Sequence, residues 1–221
     1  TFQGKLSILR VIHYPKLYSD NYEDLLTSIQ EFRNFLRCED RTAPVEGVLS
    51  LGIVPRLIQI LEWDHKPLFQ FESAWILTNL TSDTTESTQQ VVNHGIVPKL
   101  SRLLKSPDPD VVEQVAWALG NISGDSILFR DLLLDNGVLL LLSQIQPIRP
   151  SSIGNITWSI SNLFRGNPLP PIDKLTICFP FLLTVFNGLE SEACWVIKYF
   201  TDPGENQLER IQIIFDSGFI E

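Results

Sequence analysis

Along the middle of the chain, aliphatic residues recur at helical intervals and are cut into segments by short breaks rich in proline, glycine and small polar residues. From Thr84 to His94 a polar start leads to Val91 and Val92 and stops at Gly95, a natural helix end because glycine takes the left-handed backbone without steric cost. From Val97 to Lys105 the residues Leu100, Leu103 and Leu104 keep helical spacing. Ser106-Pro107-Asp108-Pro109 then breaks the chain, and Pro109 or Asp110 opens a longer helix that runs to Ser123. The alternation expected of strands is absent. An all-α chain is expected.

The same three-helix pattern returns. Glu72-Ser73-Ala74-Trp75-Ile76-Leu77-Thr78-Asn79-Leu80 aligns with Glu113-Gln114-Val115-Ala116-Trp117-Ala118-Leu119-Gly120-Asn121-Ile122, and with Asn155-Ile156-Thr157-Trp158-Ser159-Ile160-Ser161-Asn162-Leu163. A fourth copy, Ala193-Cys194-Trp195-Val196-Ile197-Lys198-Tyr199-Phe200, carries Tyr for Asn. The tryptophans are 117 − 75 = 42, 158 − 117 = 41 and 195 − 158 = 37 residues apart. Gly52-Ile53-Val54-Pro55 recurs as Gly95-Ile96-Val97-Pro98, 43 residues on, and more weakly at Gly137 and Gly218, with Pro180 holding the place between them. A period near forty belongs to armadillo or HEAT units, and three helices per unit favour armadillo. The predicted fold is therefore a right-handed α-α superhelix, an armadillo-repeat solenoid, forming one domain over residues 1–221 with four to five repeats. In the first unit, from Tyr22 to Leu49, Phe32 and Leu36 stand where Trp and Asn would fall, as suits a capping repeat. The chain stops at Glu221 as a new unit's second helix should begin, so a shortened or truncated solenoid is expected.

Residues four apart share a helix face, so Trp75/Asn79, Trp117/Asn121 and Trp158/Asn162 each set an indole beside an amide. In a solenoid the third helices line the concave surface, and stacking would turn the pairs into two ladders. A carboxamide both donates and accepts, so each Asn can grip the backbone of an extended peptide without reading its side chain. Adjacent indoles form slots for the methylene stem of Lys or Arg, and their faces attract the cation. A single Trp at helical spacing is more often core, and a single Asn more often solvated. Their repetition in register has no explanation in helix propensity.

Composition narrows the partner. The net charge is −9, with 44% hydrophobic and 19% charged residues, and there is no basic cluster of the kind phosphate binding needs. An acidic surface steers basic ligands instead. Cys38, Cys178 and Cys194 have no metal-ligand spacing and read as reduced thiols of a soluble intracellular domain. His13, His65 and His94 fall in no ligand spacing, and no catalytic constellation is recognisable. No enzyme activity, cofactor or metal is expected.

Gln70-Phe71-Glu72-Ser73-Ala74-Trp75, Glu113-Gln114 with Trp117-Ala118-Leu119-Gly120-Asn121-Ile122, Gly124-Asp125, Phe129-Arg130-Asp131-Leu132, Asn155-Ile156-Thr157-Trp158 and Pro170-Pro171-Ile172-Asp173 resemble importin-α, from about Tyr22 to Glu221. The resemblance implies an adaptor of the cytoplasm and nucleus that holds Lys/Arg-rich nuclear localisation signals in extended form. It implies peptide contacts from Trp75, Asn79, Trp117, Asn121, Trp158 and Asn162. Asp125 would pair with the dominant lysine, in a pocket completed by Thr88 and the backbone near Asp83. Ser82, Gln114, Gly124 and Asn155 would add contacts, with Glu192, Trp195 and Tyr199 serving the fifth repeat. Importin-β is implied as a partner only where a basic amino-terminal arm belongs to the full protein.

Several positions depart from the family pattern. Asp83 replaces a glycine at the lysine pocket, Lys198 brings positive charge to the fifth array, and the units around Asn155 and Trp195 are shortened. A non-transport armadillo scaffold or regulator, one that sequesters partners or has a degenerate groove, is the alternative. Neither nucleic acid nor a membrane is expected as a partner.

Overall fold

The computed structural model describes residues 2–37, 42–146, 149–186 and 190–219, and every element among them is helical. The chain packs as two compact units, Thr1–Ala118 and Leu119–Glu221. The first opens with α1 (Phe2–Ile8), which continues through a π-helical stretch, Leu9–His13, into the short α2 (Tyr14–Lys16). After α3 (Tyr22–Phe35) come two three-helix sets: α4 (Thr42–Leu49), α5 (Val54–Leu61) and α6 (Pro67–Leu80), then α7 (Thr85–Asn93), α8 (Ile96–Leu103) and α9 (Pro109–Asp125). The second unit holds α10 (Ile127–Asp135), α11 (Val138–Ser143) and α12 (Pro150–Phe164), then α13 (Ile172–Leu175), a 3-10 turn over Thr176–Cys178, α14 (Phe179–Phe186), α15 (Glu190–Phe200) and α16 (Gln207–Asp216).

The three helices read between Thr84 and Ser123 fall within a few residues of α7, α8 and α9. Their ends have clear chemical causes. Thr84 caps α7 in a reciprocal box: its Oγ1 accepts from Ser87 N at 3.1 Å, and Ser87 Oγ accepts from Thr84 N at 3.2 Å. The equivalent residue of the next repeat, Ser126, accepts from Phe129 N at 3.4 Å. The recurrent glycines are explained by backbone geometry. Gly52, Gly95, Gly137 and Gly218 all have φ between 68° and 80°, a region costly to other residues, and the first three turn the chain from one helix into the next. Where the glycine is missing, before Pro180, the chain stays right-handed and passes from α13 through the 3-10 turn into α14.

Phe32 and Leu36 are both core residues, which fits their place in a first repeat without a Trp/Asn pair. In the first unit the interior is built from Ile29, Phe32, Leu57, Ile60, Ile76, Leu77, Leu80, Leu100 and Val115, all fully buried. The second unit adds an aromatic cluster in which Phe179 meets Phe200 and Phe219 edge-on, each with 5.2 Å between centroids. Arg130, 2% exposed, fixes the exit of α12 by donating to Arg165 O and Pro168 O, both at 2.9 Å.

Cys178 is buried against Leu175 O, and desolvation pushes its thiol far above the ordinary range, whereas Cys194 is free and exposed. Brief alkylation of the native protein at neutral pH is expected to modify Cys194 and spare Cys178 until denaturant is added, as read by peptide mass mapping.

Candidate functional site

Each third helix buries an aliphatic ridge and leaves the Trp stripe less covered. On α6 the side chains of Ala74, Ile76, Leu77 and Leu80 are fully buried while Trp75 and Asn79 are half-buried. On α9, Val115, Ala116, Ala118 and Ile122 are buried, Trp117 is 43% exposed and Asn121 is half-buried. On α12, Ile156, Ile160 and Leu163 are buried and Trp158 is 36% exposed; on α15, Val196 and Phe200 are buried and Trp195 is 50% exposed.

In the first unit the Nδ2 of Asn79 is buried with no hydrogen-bond partner among the described residues. Ser82, exposed just past α6, donates to Asn79 O at 3.0 Å. Asp83 is half-buried and immediately precedes the cap of α7. Trp75 is covered in a way that sequence spacing gave no sign of. The guanidinium carbon of Arg33 sits 4.4 Å from its ring centroid, and the Phe71 ring meets it edge-on at 5.5 Å.

In the second unit Trp158 lies directly over Gly120, where a Cβ would come within 2.5 Å of both Trp158 Cζ3 and Ser159 Oγ. At Gly124 a Cβ would approach Asn162 Nδ2 to 3.0 Å. These two glycines let α9 and α12 approach closely. Asp125 ends α9, half-buried, in the register that Asp83 holds one repeat earlier. Asn155 is half-buried, and its carbonyl accepts from Ser159 Oγ at 2.9 Å. Trp195 and Tyr199 stack at 5.6 Å between centroids, with Lys198 Nζ 4.7 Å from the Tyr199 ring. Glu192 lies in α15, and its side chain is outside the described residues.

Three of the expected contact residues turn inward. Thr88 is fully buried, and its hydroxyl donates to Thr84 O at 3.1 Å. Gln114, 6% exposed, ties α9 to α6 by donating to Thr78 Oγ1 at 2.8 Å. Asn162 is 6% exposed, and its Nδ2 donates to Gly120 O at 3.1 Å. Short polar side chains within reach of a helix carbonyl satisfy it in preference to facing water. Arg33 and Gly120 are the residues that spacing alone missed as parts of the site. Among the described residues there is no cluster of His, Cys, Asp or Glu able to hold a metal ion, and no helix is long and apolar enough to cross a membrane.

Residues 46–82 and 84–124 match the family model of the Armadillo/beta-catenin-like repeat. The fold agrees: a designed armadillo repeat protein solved in complex with the peptide (KR)4 superimposes with a TM-score of 0.82, covering 93% of this chain and 86% of that one at 19% identity. The protein is an armadillo-repeat protein. Within that class its sequence is that of an importin-α relative: it is 40% identical to importin subunit alpha-2 of Arabidopsis thaliana over 210 residues, 92% of this chain and 38% of that protein. It is also 40% identical to importin subunit alpha-1b of Oryza sativa over 206 residues, 90% of this chain and 38% of that protein. The chain thus spans about two fifths of the length of these curated relatives.

The close approach at Gly120 sets a stability prediction. Gly120→Ala is expected to cost about 1–3 kcal/mol by overpacking. Gly154→Ala, in a helix with nothing within 4 Å of the new Cβ, is expected to be neutral or to stabilise by about 0.5–1 kcal/mol. Paired thermal melts check the contrast, and equal melting temperatures for the two variants would refute the packing account.

Proposed function

We propose that the chain is a binding adaptor that holds Lys/Arg-rich peptides, of the nuclear localisation signal type, in extended form on its Trp/Asn arrays, as part of nuclear protein import. The observation that carries this reading is the exposure of the array indoles: Trp117 at 43%, Trp158 at 36% and Trp195 at 50%. Leaving roughly half of an indole in water forgoes about 2 kcal/mol of burial apiece. A fold that repeats the loss in register at three third helices has a use for the surface.

The chemistry follows from the residue types. Exposed indole faces accept the stem and charge of Lys or Arg. The half-buried Asn79 and Asn121 side chains each carry a donor and an acceptor, the pair that a peptide backbone needs. Asp125 supplies a counter-charge for a lysine ammonium at the end of α9. With a net charge of −9, the whole molecule draws a basic peptide toward itself. The importin-α likeness and the (KR)4 ligand of the designed armadillo protein point to the same ligand class. Where the full protein carries a basic amino-terminal arm, cargo delivery through importin-β belongs to this reading, as does residence in cytoplasm and nucleus. A scaffold that holds its partners without delivering them is the second reading. It is favoured by the protein's own cations over Trp75 and Tyr199, and an importin-β binding assay on the full-length protein separates the two.

A Lys/Arg-rich peptide is expected to bind and to weaken as salt rises, while neutral and acidic peptides of equal length do not bind. No detectable binding at low salt, by fluorescence anisotropy, would refute the reading.

Substitutions separate three roles. Asp125→Ala is expected to cost about 1.5–3 kcal/mol, concentrated on one lysine of the peptide. Asn121→Ala should weaken all basic peptides alike, because an amide reads only backbone. Trp117→Ala should lose about 1 kcal/mol or more of slot and cation–π attraction. Affinities over a panel of single Lys→Ala peptides, with melting temperatures alongside, test the assignment. Variants of Asn121 and Trp117 that melt much lower yet bind normally would make those residues core.

A further inference from the structure

Away from the array, the first unit carries a second set of rings with cations between them. Arg56, on α5, places its guanidinium carbon 5.2 Å from the Tyr18 ring centroid and 5.1 Å from that of Trp63. Lys66, in the turn that leads into α6, holds its Nζ 5.0 Å from the Trp63 centroid. Trp63 packs edge-on to Phe69 at 6.2 Å, and Tyr22 meets Phe69 edge-on at 5.0 Å. Because Lys66 immediately precedes α6, the cluster stands about 13 Å along that helix from Trp75.

The two cations are oriented but not neutralised. Arg56 Nε donates to Leu17 O at 2.8 Å and Nη1 to Gln59 Oε1 at 3.3 Å; Nη2 is neither buried nor bonded to a protein atom among the described residues. Lys66 Nζ is likewise within reach of solvent and has no hydrogen-bond partner among the described residues. Glu62 and Asp64, the acids of the same loop, are taken by Lys99 and Arg102 of α8, the second pair at 2.7 Å. With 26 Asp and Glu against 17 Lys and Arg, the chain has acids to spare, and it pairs none of the described ones with Arg56 or Lys66. Around these cations Tyr18 is 50% exposed, Tyr22 46% and Leu68 42%. Tyr, Trp and Arg are the side chains that carry most of the energy at protein interfaces, and a cation without a counter-charge adds a demand for one.

We infer that this cluster is a docking surface for an acidic, partly apolar segment of a partner protein. The inference is independent of the basic-peptide reading and concerns the opposite charge. Both cations lie close to one ring centroid, 5.1 and 5.0 Å away, so two carboxylates spaced about 7 Å apart on one face of an extended segment can meet both. Arg56, stacked between Tyr18 and Trp63, turns its N–H edge to the first carboxylate, and Lys66 takes the second. Apolar side chains of the segment rest on the exposed parts of Tyr18, Tyr22 and Leu68. Nucleic acid fits less well, because a stacked base would have to displace from Trp63 the cations that its phosphates need.

The test titrates the chain with the peptides (EL)4, (QL)4 and (KL)4 and with a thymidine octanucleotide. It follows the indole N–H signal of Trp63 by NMR, assigned with Trp63→Phe. The acidic (EL)4 is expected to shift and saturate that signal, and the other three probes to leave it in place. Lys66→Gln, which removes no hydrogen bond, is expected to weaken (EL)4 about two- to five-fold at an unchanged melting temperature. Arg56→Gln, which also gives up the bond to Leu17 O, is expected to weaken it about ten-fold or more. A Trp63 signal unmoved by (EL)4, or moved equally by (QL)4, would overturn the inference, as would binding that Lys66→Gln leaves unchanged. A shift produced by the octanucleotide and not by (EL)4 would overturn it in favour of nucleic acid. Titration with (KR)4, read at Trp117, tests the basic-peptide reading separately, so either can fail alone.

Discussion

A third helix in this fold has two jobs that compete for the same residues. It must bury an aliphatic ridge against its neighbours, because short helices are not stable alone in water. It must also keep one stripe uncovered. On α9 the solution is visible residue by residue: Val115, Ala116, Ala118, Leu119 and Ile122 are within 1% of full burial, and Trp117 between them is 43% exposed. That alternation holds only while the register of the helix is fixed. The capped starts of α7 and α10 and the left-handed glycines fix the helices that precede each third helix. In the second unit the approach of α12 to Gly120 settles how far Trp158 stands out.

Charge acts on this frame at two ranges. The net charge of −9 favours basic ligands from a distance but does not choose among positions. Choice is made by local contacts, and here the protein supplies some of the cations itself. Arg33 on Trp75 is held by a carboxylate that is 4% exposed, and Lys198 near Tyr199 by one that is 35% exposed. Burial decides which of the two is a fixed part of the surface and which is a movable counter-ion.

Much of the repeat was legible because its markers answer to backbone geometry. Glycine at the helix junctions is required by a positive φ, so it recurs wherever the junction does, and the third-helix tryptophans recur with it. The stretch Phe2–Lys16 carries no such marker, and its helices were not foreseen. In the shortened unit after Phe164 the lost glycine hid a junction that the chain makes through a 3-10 turn instead. Site residues were less legible where a side chain has two ways to be satisfied. Thr88, Gln114 and Asn162 would read the same in sequence whether they faced a peptide or, as found, a carbonyl or hydroxyl of their own fold. Arg33 was invisible for a different reason. Its partner Glu72 lies 39 residues away, on another helix, and no local spacing connects them.

The central claim is that the uncovered indole–amide stripe is a surface for the backbone and basic side chains of an extended peptide. A crystal structure of the chain with a bound Lys/Arg-rich peptide addresses it most directly. The account predicts an extended peptide whose main chain hydrogen-bonds the Asn121 amide, with a lysine ammonium at Asp125. A peptide bound as a helix, or seated away from the third helices, would contradict it.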